Sequence, residues 1–256
     1  MNIRSLAARL EVEGITVLHP VRMGKISLAV FAVLFGTLST ASAAPRKPGC
    51  ELEILDKCGG ELFVFATSEK IAINAQELDE VCARQAEAEE CARDYLKKCT
   101  ESIVQGIGSI FLDDVRDEIE TRCEKDSEYQ KRYLEHASCL NSIGPGLHRC
   151  MRNLTLDLDT AAQLQSKHRI GGACCKFNVF ETCFENAVKG KCPSGAEDLA
   201  RNFVQKYSGE LLSTVCAPYR GNLDKCKSIV FDDNLRGDPN IRSALTPLIK
   251  VGEALG

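Results

Sequence analysis

Two cysteines stand side by side at Cys174 and Cys175, inside the stretch "GGACCKFNVFETCFENAVKGKC" at residues 171–192. Cysteines this dense can supply a reactive thiolate, hold a metal ion or form a disulfide frame. Structural zinc sites and thioredoxin-like redox centres use pairs spaced Cys-x-x-Cys, and the chain contains no such spacing. The sequence therefore favours a frame, and it predicts neither a metal site nor a redox centre.

The sequence contains no recognised catalytic motif among its other residues. Adjacent cysteines also open the Cys-Cys-x-x-His-Asp helix of secreted phospholipases A2, but here Asn178 and Val179 stand where that motif needs its general base and its calcium ligand. His136, His148 and His168 are scattered over polar stretches, away from any recognised nucleophile motif. We predict a protein that is not an enzyme, with no catalytic residue and no cofactor.

The N-terminal region predicts export. Arg22 and Lys25 precede an apolar run at residues 26–38, and Ala41 and Ala43 follow with the small-x-small pattern of a cleavage site. We predict a signal peptide at residues 1–43, with Met23 as a possible start; an uncleaved membrane anchor is the alternative. The run is shorter than the roughly 20 apolar residues that a spanning helix needs. Secretion into the extracellular space is the expected localisation.

All fourteen cysteines follow the predicted cleavage site, an even number that suits a disulfide framework in an oxidising compartment. Of 32 Lys/Arg and 36 Asp/Glu, four and two lie before that site, which leaves 28 against 34 and a charge of −6. A nucleic-acid surface needs clustered positive charge, so we expect none. There is no second hydrophobic segment, so we expect no membrane span after signal removal.

The cysteine spacing repeats. From Cys58 the steps to the next four cysteines are 24, 9, 8 and 24, and from Cys150 they are 24, 9, 9 and 24 once the extra Cys175 is set aside. Such a recurrence indicates a duplicated structural unit. We predict helical cysteine-rich units at residues 50–123 and 139–226, followed by a C-terminal tail at residues 227–256.

The units are predicted to be helical. Residues 74–99 lack Pro and Gly and are rich in Ala, Glu, Lys and Arg, which are strong helix formers. In residues 193–216 the apolar residues recur at intervals of three and four, as on an amphipathic helix, and no segment shows a sustained period of two. Capping boxes are expected at Ser194–Glu197 and Ser102–Gln105, and a turn at Gly171–Gly172. The predicted fold is all-α, with two tandem disulfide-stapled three-helix units.

Cysteines on antiparallel helices should pair when their midpoint falls on a turn. That rule selects Cys58–Cys99, Cys82–Cys123, Cys150–Cys192 and Cys174–Cys216. Elimination then gives Cys50–Cys91, Cys139–Cys183 and Cys175–Cys226, although sequence alone leaves connectivity open. The last pair should tie the C-terminal segment to the second unit.

The frame of Cys174, Cys183, Cys192 and Cys216 resembles that of the cysteine-rich 27 kDa haemolymph glycoproteins of arthropods, although Cys175 departs from their pattern. The resemblance implies a secreted, glycosylated, non-enzymatic protein of body fluid. Asn153-Leu154-Thr155 is the one glycosylation sequon. The tripeptide Arg236-Gly237-Asp238 resembles an integrin-binding motif, and we interpret it as a chance match.

Two functions fit these observations. A protein-interaction module would present exposed residues on rigid helices to an unknown extracellular partner. A carrier would instead enclose an apolar small molecule or lipid in a helical cavity between the two units. The apolar residues available for such a cavity are Leu62, Phe63, Val64, Phe65, Phe177, Phe180 and Phe184. An ordinary core is the simpler interpretation of these side chains, so the interaction module is the preferred prediction.

Overall fold

Nine α-helices and a closing 3-10 turn form the part of the chain that the structure, a computed structural model, describes: residues 46–255. The helices are α1 (Leu52–Gly60), α2 (Ala75–Cys99), α3 (Ser102–Cys123), α4 (Glu128–Ser142), α5 (Gly144–Ala162), α6 (Ser166–Val188), α7 (Ser194–Cys216), α8 (Leu223–Lys227) and α9 (Leu245–Gly252). The turn is Glu253–Leu255. No strand occurs within residues 46–255, and the predicted all-α class is confirmed. The predicted signal peptide at residues 1–43 lies outside the described residues.

Helix α2 begins where its sequence predicts. The Asn74 side chain accepts a hydrogen bond of 2.9 Å from the Glu77 amide, and the Glu77 carboxylate accepts one of 2.9 Å from the Ile73 amide. These bonds satisfy amide groups that the first turn leaves without helical partners. The predicted capping boxes of α3 and α7 do not form, because Ser102 and Ser194 are the first helical residues and make no capping bond.

The second predicted unit departs from the first in its helix number. One helix was expected before its central helix, but Cys139 lies in α4 and Cys150 in a separate helix, α5. Ile143 ends α4 and precedes α5, and Pro145 stands in the first turn of α5. A proline has no amide hydrogen to continue the preceding helix, and it is well tolerated at a helix start.

The turn expected at Gly171–Gly172 is wrong, because both glycines are buried inside α6. A Cβ at Gly171 would lie 2.7 Å from the Tyr219 hydroxyl, and one at Gly172 would lie 2.7 Å from a Leu164 methyl. Neighbouring segments therefore approach α6 so closely that only glycine fits. This packing outweighs the roughly 1 kcal/mol that each glycine costs in a helix relative to alanine.

The fourteen cysteines form seven disulfides and none is free. Three bonds match the predicted pairs: Cys82–Cys123, Cys174–Cys216 and Cys175–Cys226. The other four predicted pairs are wrong: Cys50–Cys91, Cys58–Cys99, Cys139–Cys183 and Cys150–Cys192. The structure contains Cys50–Cys99, Cys58–Cys91, Cys139–Cys192 and Cys150–Cys183 instead.

The observed disulfide pairing has a geometric cause. When a chain reverses at a turn, the two residues nearest the turn meet, and the two residues farther away meet beyond them. Cys58 and Cys91 are the inner pair around the turn before α2, and Cys50 and Cys99 are the outer pair. The predicted pairs would have crossed, which two antiparallel segments do not permit. Both predicted units pair their six corresponding cysteines in the same order.

The main hydrophobic core combines residues from both predicted units and from the predicted tail. It includes Leu55 of α1, Leu112 of α3, Leu147 of α5, Phe203 of α7 and Leu245 of α9, and each of these side chains is at most 1% exposed. Within residues 46–255, no helix combines the length and the hydropathy that crossing a bilayer requires.

The segment predicted as a tail is anchored to α1. The Asp56 carboxylate accepts hydrogen bonds from the amides of Arg242 and Ser243 and from the Thr246 hydroxyl, at 2.9–3.2 Å. It thereby anchors the residues that lead into α9. At the other side of the helix, the Lys250 ammonium contacts the buried Asp159 carboxylate at 2.8 Å. Residues 241–252 are thus part of the core structure rather than an appendage.

Candidate binding cavity

A cavity of about 140 Å³ lies where α3, α5, α6, α7 and α9 meet. Nearly all of its lining atoms belong to apolar side chains. The lining residues are Phe63, Val104, Ile107, Gly108, Phe111, Met151, Leu154, Leu158, Ile170, Ala173, Cys174, Phe177, Phe180, Tyr207, Leu211, Leu212, Val215, Cys216, Ala244, Leu245, Leu248, Ile249, Val251, Gly252 and Leu255.

Helical periodicity places these side chains. On α3 the lining residues Val104, Ile107 and Phe111 recur at steps of three and four, which puts them on one face of the helix. Phe177 and Phe180 project from α6 at a step of three, with ring centroids 5.6 Å apart. The cavity lies between helices of the first predicted unit and helices of the second, with α9 closing one side.

The one polar side-chain group among the lining residues, the Tyr207 hydroxyl, is already hydrogen-bonded within the protein. The Tyr207 ring lines the cavity, and its hydroxyl oxygen accepts a 3.3 Å hydrogen bond from the Val64 amide. Burial raises the pKa of Tyr207 well above its ordinary value, so the phenol stays neutral at physiological pH. The cavity wall therefore offers almost no polar recognition, and it suits a ligand or ligand segment of hydrocarbon character.

One side of the cavity reaches the protein surface. Leu255 and Val215 line it and are 44% and 40% exposed, respectively. Ile107, Leu211, Leu212 and Leu248 are partly exposed members of the same lining. Phe63, Phe111 and Leu245 lie at the buried end. The cavity therefore comes closest to solvent between α3, the C-terminal part of α7 and the C-terminal turn.

A second hollow between α2 and α3 is larger, about 510 Å³, but its wall is charged. There the Glu89 carboxylate contacts the Arg93 guanidinium at 2.5 Å and the Arg116 guanidinium at 2.6 Å. Arg93 also contacts Asp113 at 2.9 Å. These charges neutralise one another within the protein, so the apolar cavity is the stronger candidate for a binding site.

The residues predicted for a carrier divide between cavity and core. Phe63, Phe177 and Phe180 line the cavity, whereas Leu62, Val64, Phe65 and Phe184 are buried elsewhere in the core. The sequence reasoning missed the walls formed by α3 and α9. The apolar stripe of α3 was visible in the sequence, but nothing local indicated that the segment after Cys226 returns to the core.

The remaining predicted residues occupy ordinary positions. Asn153 is exposed on α5. Thr155 of the same sequon is buried, and its hydroxyl donates a hydrogen bond of 3.2 Å to the Met151 carbonyl. His148 lies 2.7 Å from the Phe65 carbonyl oxygen. In residues 46–255 no group of His, Cys, Asp and Glu side chains is arranged to hold a metal ion. Glycosylation of Asn153 stays a prediction.

No protein-family model matches the chain, and neither a curated protein nor a solved structure matches it. The resemblance to arthropod haemolymph glycoproteins rests on the cysteine spacing alone and stays a prediction. The cavity and the disulfide frame around it are therefore the features of the molecule that bear on its function.

Proposed function

We propose that this protein is a secreted, non-enzymatic carrier of a small apolar molecule. The apolar cavity that opens at the surface between α3, α7 and α9 is the observation that supports this function. It favours the carrier over the interaction module that was the preferred prediction from sequence.

The size of the cavity restricts the ligand. A cavity of about 150 Å³ lined by Leu, Ile and Phe stays dry and binds benzene, which is close to the volume found here. The ligand is therefore a molecule of roughly benzene size, or the end of an alkyl chain whose remainder passes through the opening. Its affinity comes from removing apolar surface from water, about 25 cal/mol for each Å² buried.

The disulfide frame supports an extracellular setting for this carrier. Seven disulfides with no free cysteine are stable in an oxidising compartment. Cys174 and Cys216 are themselves part of the cavity wall, so the frame also holds the cavity in shape. The cysteine spacing shared with haemolymph glycoproteins fits a protein of body fluid.

A larger side chain at Gly252, which lines the cavity, tests the proposal by filling the space. A Cβ at Gly252 would lie 3.6 Å from a Val104 methyl, an ordinary contact, so Gly252→Leu should place its side chain in the cavity. We expect the affinity for fluorobenzene, measured by ¹⁹F NMR titration, to fall about tenfold or more, which corresponds to about 1.4 kcal/mol.

Gly106→Leu is the matched control. Gly106 lies on the exposed face of α3, and a Cβ there meets no atom within 4 Å. It should bind fluorobenzene as the unmodified protein does. If the unmodified protein does not bind fluorobenzene, or if both variants bind equally well, the carrier proposal is wrong. Mass spectrometry of protein from its native fluid would then distinguish a bound apolar molecule from a co-purifying protein partner.

A further inference from the structure

Helix α7 is broken near its C-terminal end. Gly209 has φ 53° and ψ −172°, far from helical values, so the helix axis changes direction there. The residues after the break, 210–216, form a short segment that we call the arm. The arm carries Leu211, Leu212 and Val215 of the cavity lining, on the side where the cavity opens.

The break is specified by the sequence. This backbone conformation is accessible almost only to glycine, and a Cβ at position 209 would also collide with the Asp114 carboxylate. In the cysteine frame, Cys216 corresponds to Cys123, which aligns Gly209 with Arg116 of α3. Helix α3 continues through Arg116 to Cys123 without a break. The break is therefore a feature of α7 that the equivalent helix does not share.

The two parts of α7 are held in different ways. Before the break, the Lys206 ammonium contacts the Asp117 carboxylate, Tyr207 is hydrogen-bonded to Val64, and Phe203 is 1% exposed in the core. Among the arm's side chains that the structure describes, the one hydrogen bond runs from the Ser213 hydroxyl to the carbonyl of Gly209, at the break itself, at 2.7 Å. Leu211 and Leu212 rest on apolar contacts alone.

The far end of the arm is fixed covalently. Cys216 is bonded to Cys174 of α6, and both sulfur-bearing residues line the cavity. The arm thus has a glycine break at one end, a disulfide at the other and apolar side chains over the cavity between them. Hinges are commonly a few residues that absorb a change in φ and ψ. Segments with few buried apolar side chains open most readily, and residues 211–215 of the arm are all partly or largely exposed.

We infer that the arm is the gate of the apolar cavity, which opens by movement at Gly209 and is limited by the Cys174–Cys216 disulfide. This inference rests on the proposed carrier function. Movement of the arm separates Leu212 from the opposite wall and lets a ligand pass, whereas α3 and α9 stay in place.

The exchange kinetics of fluorobenzene, measured by ¹⁹F NMR lineshape and saturation transfer on the full folded protein, test the gate. A gate controls passage in both directions, so releasing it raises the association and dissociation rate constants together. In the double variant Cys174→Ala/Cys216→Ala we expect the association rate constant to rise several-fold, whereas the change that the two truncations make in the cavity wall appears in the dissociation rate constant. An unchanged association rate constant would overturn the inference that the arm is the gate.

The matched control is Cys82→Ala/Cys123→Ala. This bridge has the equivalent place in the first unit and spans 41 residues against 42 for Cys174–Cys216, but neither of its cysteines lines the cavity. It should cost comparable stability without changing either rate constant. Equal acceleration in both double variants would show general loosening and would also overturn the gate.

Single substitutions provide a second test that keeps all seven disulfides. Leu212 of the arm and Leu248 of α9 both line the cavity and are both partly exposed. Leu212→Ala should raise the association rate constant, whereas Leu248→Ala should act through dissociation only. Equal association rate constants in the two variants overturn the gate alone. Absence of fluorobenzene binding by the unmodified protein overturns the gate and the carrier function together.

Discussion

At the scale of single residues, the most unusual feature of the core is a fully buried ion pair. Glu118 and Arg122, one helical turn apart on α3, are both 0% exposed, and their charged groups meet at 2.9 and 3.0 Å. Arg122 also donates a hydrogen bond of 2.8 Å to the side-chain oxygen of Gln85. The Gln85 side-chain nitrogen in turn donates hydrogen bonds to the carbonyls of Glu61 and Leu62. The pair thereby fixes the segment between α1 and α2.

The electrostatics of this pair depend on both partners. Burial by itself would lower the pKa of the Arg122 guanidinium, but the adjacent Glu118 carboxylate outweighs burial and raises that pKa above its ordinary value. The Arg122 guanidinium therefore stays charged in the folded protein. One guanidinium nitrogen of Arg122 has no hydrogen-bond partner among the described residues, so Glu118 supplies most of the compensation.

Glu118→Gln should consequently destabilise the fold. It leaves the Arg122 charge uncompensated in the core, a change that typically costs about 3–5 kcal/mol. Urea denaturation followed by circular dichroism measures the loss. Glu128→Gln is the control, because Glu128 pairs with Lys131 on the surface and its side chain is 92% exposed. Equal stability of the two variants would contradict this account of the pair.

At the scale of elements, the sequence predicts what is local. Helix α2 follows from its composition and from the Asn74 cap, both of which lie within the segment itself. The turns were harder to place. Cys50–Cys99 and Cys58–Cys91 share a midpoint between Asn74 and Ala75, where α2 begins. The midpoint rule was therefore sound, but it was applied to the wrong pairs of cysteines.

The errors arose where distant residues decide the structure. Gly171 and Gly172 resemble a turn until Tyr219 and Leu164 are found packed against them. Helix α9 has an apolar sequence of ordinary length, but the residue that anchors its start is Asp56, almost two hundred positions earlier in the chain. No local pattern reports such a partner, and the α9 wall of the cavity was missed for the same reason.

Asp56→Ala should therefore release the start of α9. The substitution leaves the Arg242 and Ser243 amides and the Thr246 hydroxyl without their acceptor. A hydrogen bond to a charged group typically contributes about 1.5–3 kcal/mol. Hydrogen exchange should increase at residues 241–248. Asp232→Ala is the control, because the Asp232 carboxylate accepts only from Asn234 in the same exposed loop. Faster exchange at α9 in both variants would show that Asp56 is not a specific anchor of this helix.

At the scale of the whole molecule, covalent and non-covalent attachments overlap. Each disulfide closes a loop of 33 to 53 residues, worth about 4 kcal/mol in the chain-entropy estimate. The core joins the same helices independently, from Leu55 to Val251. Since the cavity removes packing contacts from the centre of that core, the frame has more to stabilise here than in a fully packed bundle.

The segment after α7 shows how the two kinds of attachment divide. Cys226 ties it to α6 through Cys175, and α9 docks separately through Asp56 and Lys250. From sequence, the Cys175–Cys226 bond was the one expected attachment of the C-terminal segment to the second unit. The structure changes that expectation, because residues 241–252 have attachments of their own.

Cys175→Ala/Cys226→Ala should therefore loosen only the stretch between the two anchors. We expect new protease cleavage and faster hydrogen exchange within residues 217–235, while α9 keeps the protection it has in the unmodified protein. Full reduction of the unmodified protein, by contrast, removes all seven bonds and should expose the whole chain to protease. If the double variant loses protection at α9 as well, Asp56 and Lys250 do not hold the helix, and the cavity depends on the covalent frame alone.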